Sequence, residues 1–211
     1  MTDILLLAAS GLAREVASAD LPGLRIVGIL DDDPALYGTK IAGASVLGKI
    51  DSAASRGEHL LICVGSGSGR RSIATRLKEL GVSSQRYATA VDASVRVPLN
   101  CSIGPGSIIL AGVVLTADID VGSHVVVMPN TTFTHDDRVA DFATIAAGVS
   151  LGGGVRVGEA AYLGMGSNVR ERLSIGAESV LGMGSVLVRD LPPGFVWAGN
   201  PAAELSMRRI V

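Results

Sequence analysis

The hydrophobic positions of this 211-residue chain follow two different rhythms. In the first stretch they come as short runs. Positions 4–7, 24–30 and 59–65 read as strands, because each run is apolar, short and closed by turn residues. The first run ends in Ala8-Ala9-Ser10-Gly11, after which 12–17 reads as a helix. The second closes on Asp31-Asp32-Asp33-Pro34, and the third leads into the loop Ser66-Gly67-Ser68-Gly69. A helix is expected over 70–81, stopped by glycine at its C-terminal end. Strand, glycine turn, helix, strand, acid is the order of a small parallel α/β unit. Ligands of such units sit at the carboxyl ends of the strands.

From Val91 onward the rhythm changes to six. Stepping by six from Val91 to Leu187 meets seventeen residues, and every one is aliphatic or Phe. Glycine follows this marker at Gly104, Gly122, Gly158 and Gly176, with Ala140 at the missing step, so the glycines lie on an eighteen-residue grid. A period of six is the signature of a parallel β-helix, and three hexapeptides close one triangular coil. The markers point inward and stack into the core, while small residues ease the corners. About five coils fit between 97 and 187. The chain therefore divides into residues 1–88, a parallel α/β unit of Rossmann-like order, and 89–211, a hexapeptide β-helix with a C-terminal cap.

Into the plain second half falls Asn130-Thr131-Thr132-Phe133-Thr134-His135-Asp136-Asp137. The chain has only three histidines. His135 lies two positions after the inward Phe133, so it is expected at a corner and pointing outward. Eighteen residues on, one strand spacing along the axis, stands Gly153 in Gly152-Gly153-Gly154. A base beside a bare backbone amide suits acyl transfer, in which the histidine takes a proton and the amide steadies an oxyanion. A solvated turn is the plain alternative on spacing alone. His124 falls in a turn with unremarkable neighbours, and His59 is expected at the surface.

Composition narrows the class. A net charge of −2 gives no sign of nucleic acid or an anionic membrane surface as partner. No apolar run reaches the roughly 18 residues of a membrane span, and no N-terminal stretch has the pattern of a secretory signal, so a cytoplasmic protein is expected. Cys63 and Cys101 form no CxxC pattern and read as reduced thiols. The β-helix offers only His124 and His135, too few for the three or four ligands of Zn²⁺, so no metal is expected.

The order of motifs resembles that of the bacterial sugar acetyltransferases that include the sialic acid O-acetyltransferases and the UDP-4-amino-sugar N-acetyltransferases of bacillosamine-type pathways. The resemblance rests on Ser10-Gly11-Leu12-Ala13-Arg14-Glu15-Val16, Gly28-Ile29-Leu30-Asp31-Asp32-Asp33-Pro34, Val64-Gly65 followed by Arg70, Thr134-His135-Asp136, and Ala198-Gly199-Asn200-Pro201-Ala202. It implies a left-handed coil and a homotrimer with acetyl-CoA lying in the cleft between neighbouring β-helices. It implies His135 as general base, with Asp136 orienting its ring. Gly153 is the candidate oxyanion donor, and Met165, Gly166, Met183 and Gly184 are expected to line the pantetheine channel, with coil packing the equal alternative. Trp197 reads as a contact to CoA or to another subunit, or equally as part of the cap. The nucleotide-linked amino sugar is expected at Ser10, Gly11, Leu12, Asp31, Asp32, Asp33, Gly65, Ser66 and Arg70. Three places depart from the family pattern. The first loop lacks two glycines and a histidine, Thr144 stands where the family often has a second histidine, and Met128 stands where it commonly has Asn. An acetyl-CoA-dependent N-acetyltransferase acting on a nucleotide-linked amino sugar is the expected function, with sugar O-acetyl transfer and a non-catalytic binding β-helix as the alternatives.

Overall fold

The structure, a computed structural model, describes residues 1–205. The last six positions of the expected 89–211 unit lie outside the described residues. The N-terminal unit is a three-stranded parallel sheet in the order β2-β1-β5, formed by β1 (Thr2–Leu7), β2 (Leu24–Leu30) and β5 (His59–Ile62). A short antiparallel hairpin, β3 (Lys40–Ile41) with β4 (Ala44–Ser45), lies between β2 and β5. Strand β1 is central, so both of its faces are covered and Ile4, Leu5, Leu6 and Leu7 are fully buried. Ile4 and Leu6 pack with Leu12, Ala13 and Val16 of α1 (Gly11–Ser18), while Leu5 and Leu7 pack on the side of Leu77 in α2 (Gly67–Glu79).

Helix α2 begins three residues before the expected start. Ser66 caps it, accepting the Gly69 amide at 3.2 Å. Gly67 and Gly69 are helical because their backbone is closely packed. A β-carbon on Gly67 would collide with the Phe142 carbonyl oxygen. The helix stops at Gly81, whose φ of +87° ends the turn as expected.

The second half is a parallel β-helix of two-residue strands. Its three faces are two five-stranded sheets and one eight-stranded sheet. Partners within a face are eighteen residues apart, as in Ser102, Asp120 and Arg138 or Val114 and Thr132. The markers from Ile109 to Leu187 are all buried and form the core. The corners show why the repeat tolerates few residue types at one place. Every sixth residue from Gly106 to Glu178 and Gly184 has a positive φ, and glycine, Asp and Asn fill nine of these fourteen corners.

Val97 is the one marker that breaks the rule: it is 38% exposed and belongs to no strand. At most other markers the following residue donates its N–H to the next coil, as Gly104 does to the Val121 carbonyl at 2.8 Å, whereas Thr134 donates to Asp137 instead. After Val97 comes Pro98, which has no N–H to give. The ladder on that face begins one coil later, at Val114–Leu115.

At the other end Val196–Gly199 joins the Val180–Leu181 strand and folds back on Ala202–Glu204. Trp197 is buried to 8% exposure under the guanidinium of Arg189, 4.7 Å from its ring centre. Its place is in the cap.

Candidate active site

His135 stands at a corner between the strands Thr132–Phe133 and Arg138–Val139. The buried Phe133 and Val139 fix those strands to the core, and the backbone between them turns at Asp136 with φ +65°. The turn sends the side chains of His135 and Asp136 outward, 70% and 67% exposed. His135 Nδ1 lies 2.7 Å from Asp136 Oδ2. With the proton on Nδ1, the carboxylate accepts it and the lone pair of Nε2 is left free. Gly153 lies under the ring. A β-carbon there would stand 2.5 Å from Nε2 and 2.6 Å from Cε1. Only glycine leaves room for this placement.

The Gly153 amide donates to no acceptor among the described residues. This is a property of its register rather than of this coil. Pro105 and Pro129 occupy the same register position, so the ladder never uses that N–H. The flanking bonds tie this coil to those on either side: Gly154 N–H donates to the His135 carbonyl at 2.8 Å and Arg172 N–H to the Gly153 carbonyl at 2.9 Å.

The next residue, Asp137, turns inward and is fully buried. Its carboxylate accepts the Val155 amide at 2.8 Å and the Thr134 amide at 3.0 Å. Burial pushes its pKa up to about 6, against the downward pull of those two amides. The sequence reading missed this residue. The six-residue grid contains the signal, because Asp137 falls where Val125, Val149 and Val155 point inward.

Met165, Gly166, Met183 and Gly184 lie on a different edge of the β-helix. With Pro129, Asn130, Ala147 and Gly148 they line an open groove of about 550 Å³. Met165 and Met183 are 58% and 78% exposed, unusual for large apolar side chains. One strand face separates this edge from His135, so a single chain does not bring the two together. The groove edge instead adjoins a cavity of about 300 Å³ between the two units. Gly11, Leu12 and Gly65 line it from the N-terminal unit, and Met128, Thr144 and Tyr162 from the β-helix. Glu15 also reaches it, and neither Glu15 nor Tyr162 stood out in the sequence.

The other expected acceptor residues hold the local fold. Ser10 caps α1 through the Ala13 amide at 3.2 Å and donates to the Cys63 carbonyl. Asp31 accepts the amides of Ala9 and Asp33, at 2.7 and 2.8 Å, and ties the first loop to the end of β2. Asp32 pairs with Arg76 at 2.7 Å, and Asp33 caps the turn at Ala35. Arg70 corrects the expectation most clearly. It is fully buried, and among the described residues it pairs with no carboxylate. Its guanidinium donates to the carbonyls of Val64, Gly65, His124, Phe142 and Ala143 and to Thr144 Oγ1. It rivets the Gly65 loop onto the β-helix, and burial lowers its pKa to about 10. His124 differs too. It is buried at this same junction, stacked on Phe142 at 5.0 Å and edge-on to Tyr87 at 4.5 Å.

Among the described residues no group of three or more His, Cys, Asp or Glu could hold a metal ion, and no helix is long and apolar enough to cross a membrane. No protein-family model and no curated protein matches the chain. Solved structures do. GDP-perosamine N-acetyltransferase from Caulobacter crescentus, in complex with CoA and GDP-perosamine and with a histidine replaced by alanine, superposes with a TM-score of 0.87 at 26% identity over 98% of each chain. The acetyltransferase domain of PglB from Neisseria gonorrhoeae, in complex with acetyl coenzyme A, gives 0.86 at 28% identity over 96% of this chain and 98% of that one. WeeI from Acinetobacter baumannii gives 0.82 at 25% identity over 97% and 100%. The resemblance read from the motifs thus holds along almost the whole chain, whose structural relatives are bacterial sugar acetyltransferases of the hexapeptide, left-handed β-helix type.

Proposed function

We propose that the chain is an acetyl-CoA-dependent N-acetyltransferase acting on a nucleotide-linked amino sugar, with His135 as general base. The observation that carries this reading is the placement of the His135 ring over Gly153, with Nδ1 engaged by Asp136. That arrangement leaves Nε2 as the free base and a bare amide beside it. The acceptor amine gives its proton to Nε2 as its nitrogen adds to the thioester carbonyl. The Gly153 N–H donates to the developing oxyanion. Collapse of the tetrahedral intermediate breaks the C–S bond, and the CoA thiolate takes the proton back from the imidazolium. A basic amine needs less help from a base than a sugar hydroxyl does, which suits an exposed histidine.

The structural neighbours with bound CoA or acetyl-CoA, and with GDP-perosamine, support acetyl-CoA as donor and a nucleotide-linked amine as acceptor. We read the N-terminal unit as Rossmann-like and place the nucleotide sugar at Gly11, Leu12 and Gly65, in the cavity closed by Thr144 and Tyr162. We read the coil as left-handed and the active unit as a homotrimer. In a trimer the Met165–Met183 edge of one protomer would face the His135 edge of its neighbour, supplying an apolar wall for pantetheine. The test is free-thiol release from acetyl-CoA with a panel of GDP-, UDP- and TDP-amino sugars beside free sialic acid. Release with a nucleotide-linked amine supports the reading. Release with sialic acid alone would move it to O-acetylation.

A further inference from the structure

We propose that Asp137 is a positioning residue for the His135 corner, its buried carboxylate clamping the Thr134 and Val155 amides so that the imidazole stays over Gly153. The inference rests on the reading of His135 as the base. It starts from a comparison of corners. The inward position four residues after a marker carries a buried hydroxyl at Ser107, Thr131, Ser167, Ser179 and Ser185. At the other corners from 113 to 173 it is aliphatic or alanine. Among these corners only the one bearing His135 has an ionisable group there.

A hydroxyl is enough to close a coil. Ser107 Oγ accepts the Val125 amide at 3.0 Å and donates to the Gly122 carbonyl at 2.8 Å. Asp137 does something a hydroxyl does not. Its two oxygens accept amides on both sides of the histidine, Oδ2 from Thr134 just before it and Oδ1 from Val155, two residues past the glycine beneath the ring. The turn that aims His135 and the backbone that receives it are held by one rigid side chain. Burying a carboxylate is unfavourable for stability alone. Its restriction to this corner ties it to the histidine.

The test is a kinetic double-mutant cycle on the full-length protein, with Asp137→Ser, His135→Ala and the double variant. Serine is chosen because other coils carry it at this register, as at Ser107 and Ser167, and retained folding is checked by melting and light scattering. Asp137→Ser is expected to lower kcat by about 10- to 100-fold, the scale of small misplacements of a catalytic group. The KM for each substrate should stay unchanged. In the His135→Ala background the same change should have no further effect on turnover. Asp137→Asn keeps one acceptor oxygen and should fall between. If Asp137→Ser retains kcat within about twofold, or if its effect persists undiminished without His135, the positioning role is wrong. A His135→Ala protein with full turnover would instead remove the reading on which the inference rests.

Discussion

The His135 imidazole lies so close over Gly153 that a β-carbon on the glycine would stand 2.5 Å from Nε2. Gly153→Ala must therefore push the ring aside or shift the 152–154 turn. The φ of Gly153 is not in the left-handed region, so alanine brings no backbone strain there. Turnover is expected to fall by about 10²-fold while the melting temperature changes little, because the ring is exposed and free to move. Steady-state kinetics and a thermal melt check both halves. Unchanged kcat would show that the ring does not need that seat.

Arg70 makes a stability prediction. Arg70→Lys keeps the charge but replaces a planar fork of donors with one ammonium. At least two of the five carbonyls it serves would then lack a donor in a buried place. A loss of about 2–5 kcal/mol is expected by urea unfolding. A loss below about 1 kcal/mol would mean that water replaces the lost bonds.

Two buried groups give opposite pH dependences. His124 is held neutral, its pKa lowered to about 4 by burial and then by Arg70. Its unfolded value is about 6.5, so its share of stability is full above that pH and is lost as pH falls toward about 4. Asp137 is raised to about 6 from about 3.9, so the native state holds its proton more tightly. Its share is full at low pH and fades as pH rises from about 4 to about 6. Denaturant melts of wild type, His124→Asn and Asp137→Ser at several pH values between those limits check this. The wild-type advantage over His124→Asn should shrink on acidification. The advantage over Asp137→Ser should grow. Parallel curves would contradict both assignments.

The period of six made the β-helix legible, because each marker meets the same core environment and contacts only its neighbouring coils. It also placed His135 on a corner with Gly153 one coil on. What the period could not carry was the docking of the two units. Arg70 and His124 owe their burial to a junction between segments far apart in sequence. Nothing local distinguishes Arg70 from a surface arginine on a helix. The resemblance places Asp31, Asp32 and Asp33 at the nucleotide sugar. The structure gives each an amide or an arginine as partner instead.

The proposed trimer predicts a mass of three protomers by light scattering at micromolar concentration, with cyclic symmetry letting the exposed Met165 and Met183 find cover. A monomer would leave the His135 edge and the groove edge on separate surfaces and remove the shared site.

The central claim is that His135 is the base, and His135→Ala tests it most directly. Thiol release from acetyl-CoA, with the best nucleotide-linked amine as acceptor, should fall by about 10²–10⁴-fold in the folded variant. A fall of less than about fivefold, with the oligomer and the melt unchanged, would contradict that assignment.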